Sequence, residues 1–128
     1  MCKKNNLLIE NNDVNFLLTK EILKNYIEKK TKDLELDIKR AKNPNEIISK
    51  TISDTFDLIL MNINASSKTQ SLLVYTKIKH IDEKIPIIIQ LHDEYESEEE
   101  LKIFFDEIIK KPQVINNFVN TVSKYLVE

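Results

Sequence analysis

Short apolar runs alternate with stretches of helical periodicity along the whole chain. Leu7–Ile9 is one such run and predicts a short buried strand. Behind it, Asn12 or Asp13 can cap a helix whose apolar stripe is Val14, Leu18, Ile22 and Tyr26. Leu34–Ile38 alternates apolar and acidic residues, as a half-exposed edge strand does. Asn43-Pro44 opens a second helix with Ile47, Ile48, Thr51 and Ile52, and Phe56–Met61 is apolar except for Asp57, as a central parallel strand should be. A third helix follows over about 68–80, then a fourth strand at Ile85–Gln90. Ser97 to Glu100 forms a capping box for a helix with Leu101, Phe104 and Phe105. Glu107–Lys110 reads as a fifth strand, and Pro112 separates it from a last helix with Ile115, Phe118, Val119, Val122 and Leu126. Five strand–helix units in register imply an α/β fold: a doubly wound parallel sheet with helices on both faces and right-handed crossovers.

Composition narrows the function more than it alters the fold. At 128 residues the chain suits one compact domain over 1–128. A net charge of −2 signals neither nucleic acid nor a membrane surface as partner. No stretch approaches the ~20 apolar residues of a membrane span, and the polar opening does not read as a signal peptide, so a cytoplasmic location is expected. The single cysteine, Cys2, falls in what reads as a frayed terminus and supports neither disulfide nor metal cluster. Glycine is absent altogether, which excludes Walker-type and GxGxxG phosphate cradles, because both need a backbone without a Cβ. In a parallel sheet of this kind function belongs at the C-terminal strand ends, here Glu10 to Asp13, Asn62 to Ser67, Leu91 to Asp93, and Lys111.

Four segments in order carry a resemblance across nearly the whole chain: LLIENNDVNFLLTKEILK, FDLILMNIN, IPIIIQLH and IIKKP. Together they resemble the receiver domain of response regulators in two-component signalling. The resemblance implies a flavodoxin-like sheet of strand order 2-1-3-4-5. It also implies a cis bond before Pro112 and a phosphorylation site with a fixed set of side chains. The family's two Mg²⁺-holding acids match Glu10 and Asn11, and its phosphoacceptor aspartate matches Asn62. Its phosphoryl-contacting Ser or Thr matches Leu91, its aromatic switch residue Ile108, and its lysine Lys111.

Only Glu10 and Lys111 keep the family's chemistry. An amide is a far poorer nucleophile than a carboxylate, so Asn62 is not expected to form an acyl phosphate. Mg²⁺ prefers carboxylate oxygens, and with Glu10 and Lys111 summing to zero its binding is expected to be weak or absent. Leu91 has no hydroxyl and Ile108 no ring, so the switch is lost too. The reading is a pseudo-receiver: no catalytic residues, no cofactor, no metal, not an enzyme, acting in signal transduction through protein–protein interaction. The resemblance suggests a histidine kinase, a phosphotransfer protein or an output domain as partner, and a homodimer is open as well. Phe16 and Leu17 are the candidate partner surface on the first helix. Two alternatives stand beside this reading. One is an atypical receiver still phosphorylated in a phosphorelay, through Asp13 or Asp93; the other is a small-molecule-binding flavodoxin-like domain.

Overall fold

The computed structural model describes residues 2–31, 33–62, 68–92, 98–111 and 115–126. Its elements are β1 (Cys2–Ile9), α1 (Asp13–Leu23), β2 (Leu34–Ala41), α2 (Pro44–Ser53), β3 (Leu58–Asn62), α3 (Lys68–Ile81), β4 (Ile87–His92), α4 (Glu98–Lys102), β5 (Glu107–Lys111) and α5 (Ile115–Leu126). All strand pairings are parallel and the order is β2-β1-β3-β4-β5, so the doubly wound sheet expected from the sequence is present.

Strand side chains alternate between faces, and this divides the core into two layers. Leu7, Ile9, Ile59, Met61, Ile87, Ile89 and Leu91 pack with Ile47 of α2, Val74 and Ile78 of α3, and Leu101 and Phe105. Leu8, Leu58, Leu60, Ile88 and Ile109 pack on the other side with Leu23 of α1 and with Phe118, Val119, Val122 and Leu126 of α5. Central strands buried on both faces are largely apolar, as β3 is up to Met61 and β4 up to Ile89. Among the described residues no helix is long and apolar enough to cross a membrane.

Several boundaries depart from the sequence pattern, each for a local reason. β1 begins at Cys2 rather than Leu7, because its polar first half is held by the backbone ladder to β2 from Cys2 opposite Leu34 onward. Asp57 fastens the same segment: its carboxylate accepts from Asn5 N–H at 2.8 Å, and its own N–H donates to Asn5 O at 2.7 Å. Cys2 is therefore a strand residue, not a frayed end. Phe56 is buried but precedes β3, and Pro86, lacking an N–H, delays β4 to Ile87. α4 stops at Lys102, leaving Phe104 partly exposed in the following turn while Phe105 stays in the core. Ile52 of α2 and Ile115 of α5, both part of their helices' apolar patterns, are exposed. With no glycine available, the left-handed turn into β2 falls to Asp33 at φ 64°, a conformation that Asp tolerates better than most residues. Ser97 and Pro112, with the capping box and the cis bond expected there, lie outside the described residues.

The largest departure is the rotation of α1. The stripe expected in the core is mostly outside: Val14 is 63% exposed, Leu18 56% and Tyr26 40%, with Leu17 at 58%. The helix instead buries Leu23, then Ile27 in the π-helical turn Lys24–Glu28 that continues it, with Phe16 and Ile22 partly covered. Polar anchors decide this rotation. Lys24 donates to Leu36 O at 2.8 Å and Glu28 accepts from Leu36 N–H at 2.7 Å, so one i,i+4 pair grips both backbone groups of an edge-strand residue. That grip also occupies an edge that would otherwise be open to strand addition. At the other edge Tyr125 of α5 donates its one hydroxyl proton to Glu107 Oε2 at 2.7 Å, with Asp106 O alongside at 3.2 Å.

The rotated α1 and the Tyr125 tie each have a measurable consequence. Leu23→Ala should cost about 2–5 kcal/mol in urea unfolding, as truncations of buried leucines do, whereas exposed Leu18→Ala should stay within about 0.5 kcal/mol. The reverse order would show that α1 packs by its apolar stripe after all. Burial, followed by the bond to Glu107, pushes the Tyr125 phenol up from 10.0 to about 12. Because the folded value is raised, its stabilisation is complete below pH 10 and lost as pH rises towards 12. Tyr125→Phe should remove about 0.5–1.5 kcal/mol at neutral pH and flatten that alkaline loss.

Candidate functional site

At the C-terminal ends of the central strands, Ile9 is in register with Met61, which brings the next residues, Glu10 and Asn62, side by side. Both are buried, at 3% and 0% exposure. The Asn62 side-chain amide donates to Glu10 Oε1 at 2.5 Å, and the backbone N–H of Asn12 donates to Glu10 Oε2 at 3.1 Å. Each carboxylate oxygen therefore already accepts a hydrogen bond. A buried carboxylate without donors is costly, and here an amide and a loop N–H supply them. On β4 the residue in register with Asn62 is Gln90, also buried, so the amide row continues across the sheet.

Arg40, near the end of β2, fixes the loop that follows Glu10. Its Nε donates to Glu10 O at 2.8 Å, its Nη1 contacts Asp13 Oδ1 at 2.7 Å, and its guanidinium lies over the Phe16 ring at 5.0 Å. The hydrogen bond and charge of Arg40, with Lys42 adding to them, hold the Asp13 carboxyl below its ordinary value of 3.8. Asn12 caps α1 by accepting from Asn15 N–H at 2.9 Å, which completes the loop.

The positions singled out from the sequence are thus partly gathered and partly dispersed. Glu10 and Asn62 meet. Asn11 is exposed, and Leu91 is fully buried in the layer with α2, α3 and α4, on the other face from Leu60 and Ile88. Ile108 packs against that same layer. Lys111 ends β5 opposite His92, and only the backbone of these two residues is described. Asp93 is outside the described residues. On the partner surface Leu17 is exposed, but Phe16 is half-buried against the α1–α5 layer beneath Arg40, which corrects its assignment to the free surface. Gln90 and Arg40 went unnoticed in the sequence. The one signal for Gln90 is a polar residue closing the apolar run IPIIIQ, and for Arg40 a long cation ending the alternating edge strand.

No protein-family model and no curated protein matches the sequence. The likeness is to solved structures, and it defines the fold class: the chain has the fold of response-regulator receiver domains. It is similar to the receiver domain of a sensor histidine kinase from Pseudomonas aeruginosa, which holds a magnesium ion in its active-site cleft. That match has a TM-score of 0.79 and 14% identity and covers 99% of this chain and 100% of that one. It is similar also to a histidine-kinase signal receiver domain from Clostridium thermocellum, with a TM-score of 0.79 and 23% identity over 98% of both chains. A streptococcal protein from a family of redox sensors evolved from two-component response regulators matches with a TM-score of 0.70 and 24% identity. It covers 95% of this chain and 50% of that one.

The described residues of this pole do not fit a divalent cation of the kind held by the Pseudomonas domain. Glu10 offers a carboxylate, but both its oxygens are engaged, and Asn62 turns its donor NH₂ towards it. A cation would have to displace an amide donor from a buried site for the return of one carboxylate. Among the described residues no group of three or more His, Cys, Asp or Glu side chains could hold a metal ion.

Restoring a carboxylate tests this geometry. Asn62→Asp sets two buried acids against each other, and unfolding at pH 8 should show a loss of about 1–4 kcal/mol. Equal stability of the two proteins at pH 8 would mean that Asn62 does not bond to Glu10.

Proposed function

We propose that this chain is a pseudo-receiver: a receiver fold that acts in signal transduction by docking to other proteins, without phosphorylation and without catalysing a reaction. The observation that carries the reading is the closed Glu10–Asn62 pair. At the place where the family's resemblance sets a nucleophilic aspartate beside a metal-holding acid, an amide donates to the acid instead. Nothing at Asn62 can form an acyl phosphate, because the amide nitrogen lone pair is delocalised into its carbonyl and its oxygen is a weak nucleophile. The buried aliphatic Leu91 and the partly buried Ile108 have no hydroxyl or ring with which to follow a phosphoryl group.

Asp13, the described carboxylate open to the alternative of phosphorylation, is exposed but bonded to Arg40. The docking function rests on surface chemistry, and the face supporting it is the outer side of α1 around Leu17. The partner in this reading is a signalling protein: a histidine kinase, a phosphotransfer protein or an output domain. The streptococcal redox sensors are a precedent for a receiver fold turned to another use.

Incubation with acetyl phosphate and Mg²⁺ followed by intact-mass spectrometry tests the reading. No phosphoryl adduct is expected on the chain, at Asp13, Asp93 or elsewhere. A stoichiometric, acid-stable but hydroxylamine-labile adduct would establish a working acyl phosphate and overturn it.

A further inference from the structure

We infer that the outer face of α1 is a two-fold interface with a second copy of this chain, centred on Leu18; this rests on the docking function proposed above and names its first occupant. Val14, Leu17 and Leu18 are three large apolar side chains grouped within two turns of one helix, each more than half exposed. The helix could have buried them, since Val14, Leu18 and Ile22 form a continuous i,i+4 row. It is instead held in the opposite rotation by Arg40 over Phe16 and by Lys24 and Glu28 on Leu36. A helix anchored so that Val14, Leu17 and Leu18 point outward needs something to cover them.

The form of the row favours a copy of itself. Side chains four residues apart make a straight ridge, and two such ridges interdigitate at a crossing angle of about −50° with axes ~8–10 Å apart. A two-fold axis through Leu18 sets Leu18 against Leu18 and Val14 against the uncovered edge of Ile22 of the second copy, the rest of which packs on its own core. The rim suits this pairing. Asn11, Asn15 and Asn25 are exposed, and an amide both donates and accepts, so identical amide rims can bond to each other where identical charged rims would repel. Glu21, exposed on the same side, falls opposite Asn15 of the second copy, a donor for its carboxylate. Asp13 is already paired with Arg40 and brings no free charge to the contact. A contact of one helix per copy is small beside the ~1,200–2,000 Å² that stable complexes bury, so association no tighter than micromolar is expected.

Sedimentation velocity on the full chain from about 5 µM to 1 mM, a range spanning micromolar dissociation, tests this. The expected result is a mass rising to twice that of the chain. Leu18→Lys, which opposes two cations across the axis, should remain a monomer with unchanged circular dichroism and unfolding midpoint, and Leu17→Lys serves if that variant does not fold. In a Cys2→Ser background, Leu18→Cys should form a covalent dimer under mild oxidation at least tenfold faster than Ser49→Cys, at an exposed position of α2. A monomer at every concentration, a dimer that survives both lysine variants, or equal cross-linking at the two cysteine positions overturns the inference. Repeating the run with acetyl phosphate and Mg²⁺ separates the two levels. A monomer indifferent to phosphate defeats the interface alone, whereas association that appears only with phosphate defeats the docking reading on which it rests.

Discussion

The hydrogen bond between the Asn62 amide and the Glu10 carboxylate is the constraint on which the rest of this molecule turns. It lies at the strand ends, where a parallel sheet collects its chemistry, and both partners are withdrawn from solvent. A buried carboxylate must be satisfied by donors or by a cation, and the choice between them determines what the pole can do. Among the described residues the donors are a neutral side chain and a backbone N–H. Asn12 N–H on one oxygen and Asn62 on the other join the β1 loop to β3, and Arg40 ties β2 to the same loop through Glu10 O. Three adjacent strands are thereby bound together at the C-terminal end of the sheet.

A pole occupied in this way shifts attention to the outside of the molecule. The same Arg40 that holds Glu10 also covers Phe16, and with Lys24 and Glu28 it sets the rotation of α1. Interior polar satisfaction and exterior apolar exposure are therefore two results of one set of contacts. Turning Val14 and Leu18 inward would break charge-assisted bonds of about 1.5–3 kcal/mol each, comparable to the burial gained by an aliphatic side chain. The exposed ridge is stable in the monomer for that reason.

Much of the fold was legible in the sequence because β3 and β4 are almost uninterrupted apolar runs and α5 is strongly amphipathic. Asn12 and Asn43 announced their helices by capping chemistry that depends only on local backbone. What escaped was non-local. The polar first half of β1 becomes a strand only because β2 and Asp57 supply partners, and no window of the sequence contains both. The outward position of Val14 and Leu18 was missed because periodicity weighs apolar side chains and gives no weight to a lysine whose ammonium reaches a strand carbonyl. The resemblance aligned Glu10 and Asn62 with one site, but the hydrogen bond between them was not foreseen. Gln90 and Arg40 were missed because their place beside it depends on strand register, which the resemblance leaves to the fold.

The most direct measurement of the central claim follows the side-chain NH₂ resonances of Asn62 by heteronuclear NMR during titration with Mg²⁺, then with beryllofluoride. If the amide is committed to Glu10, both protons keep their shifts and exchange slowly with solvent throughout. A saturable movement of these signals at millimolar Mg²⁺, or a new state on adding beryllofluoride, would show that the pair opens to admit an ion and would contradict the account.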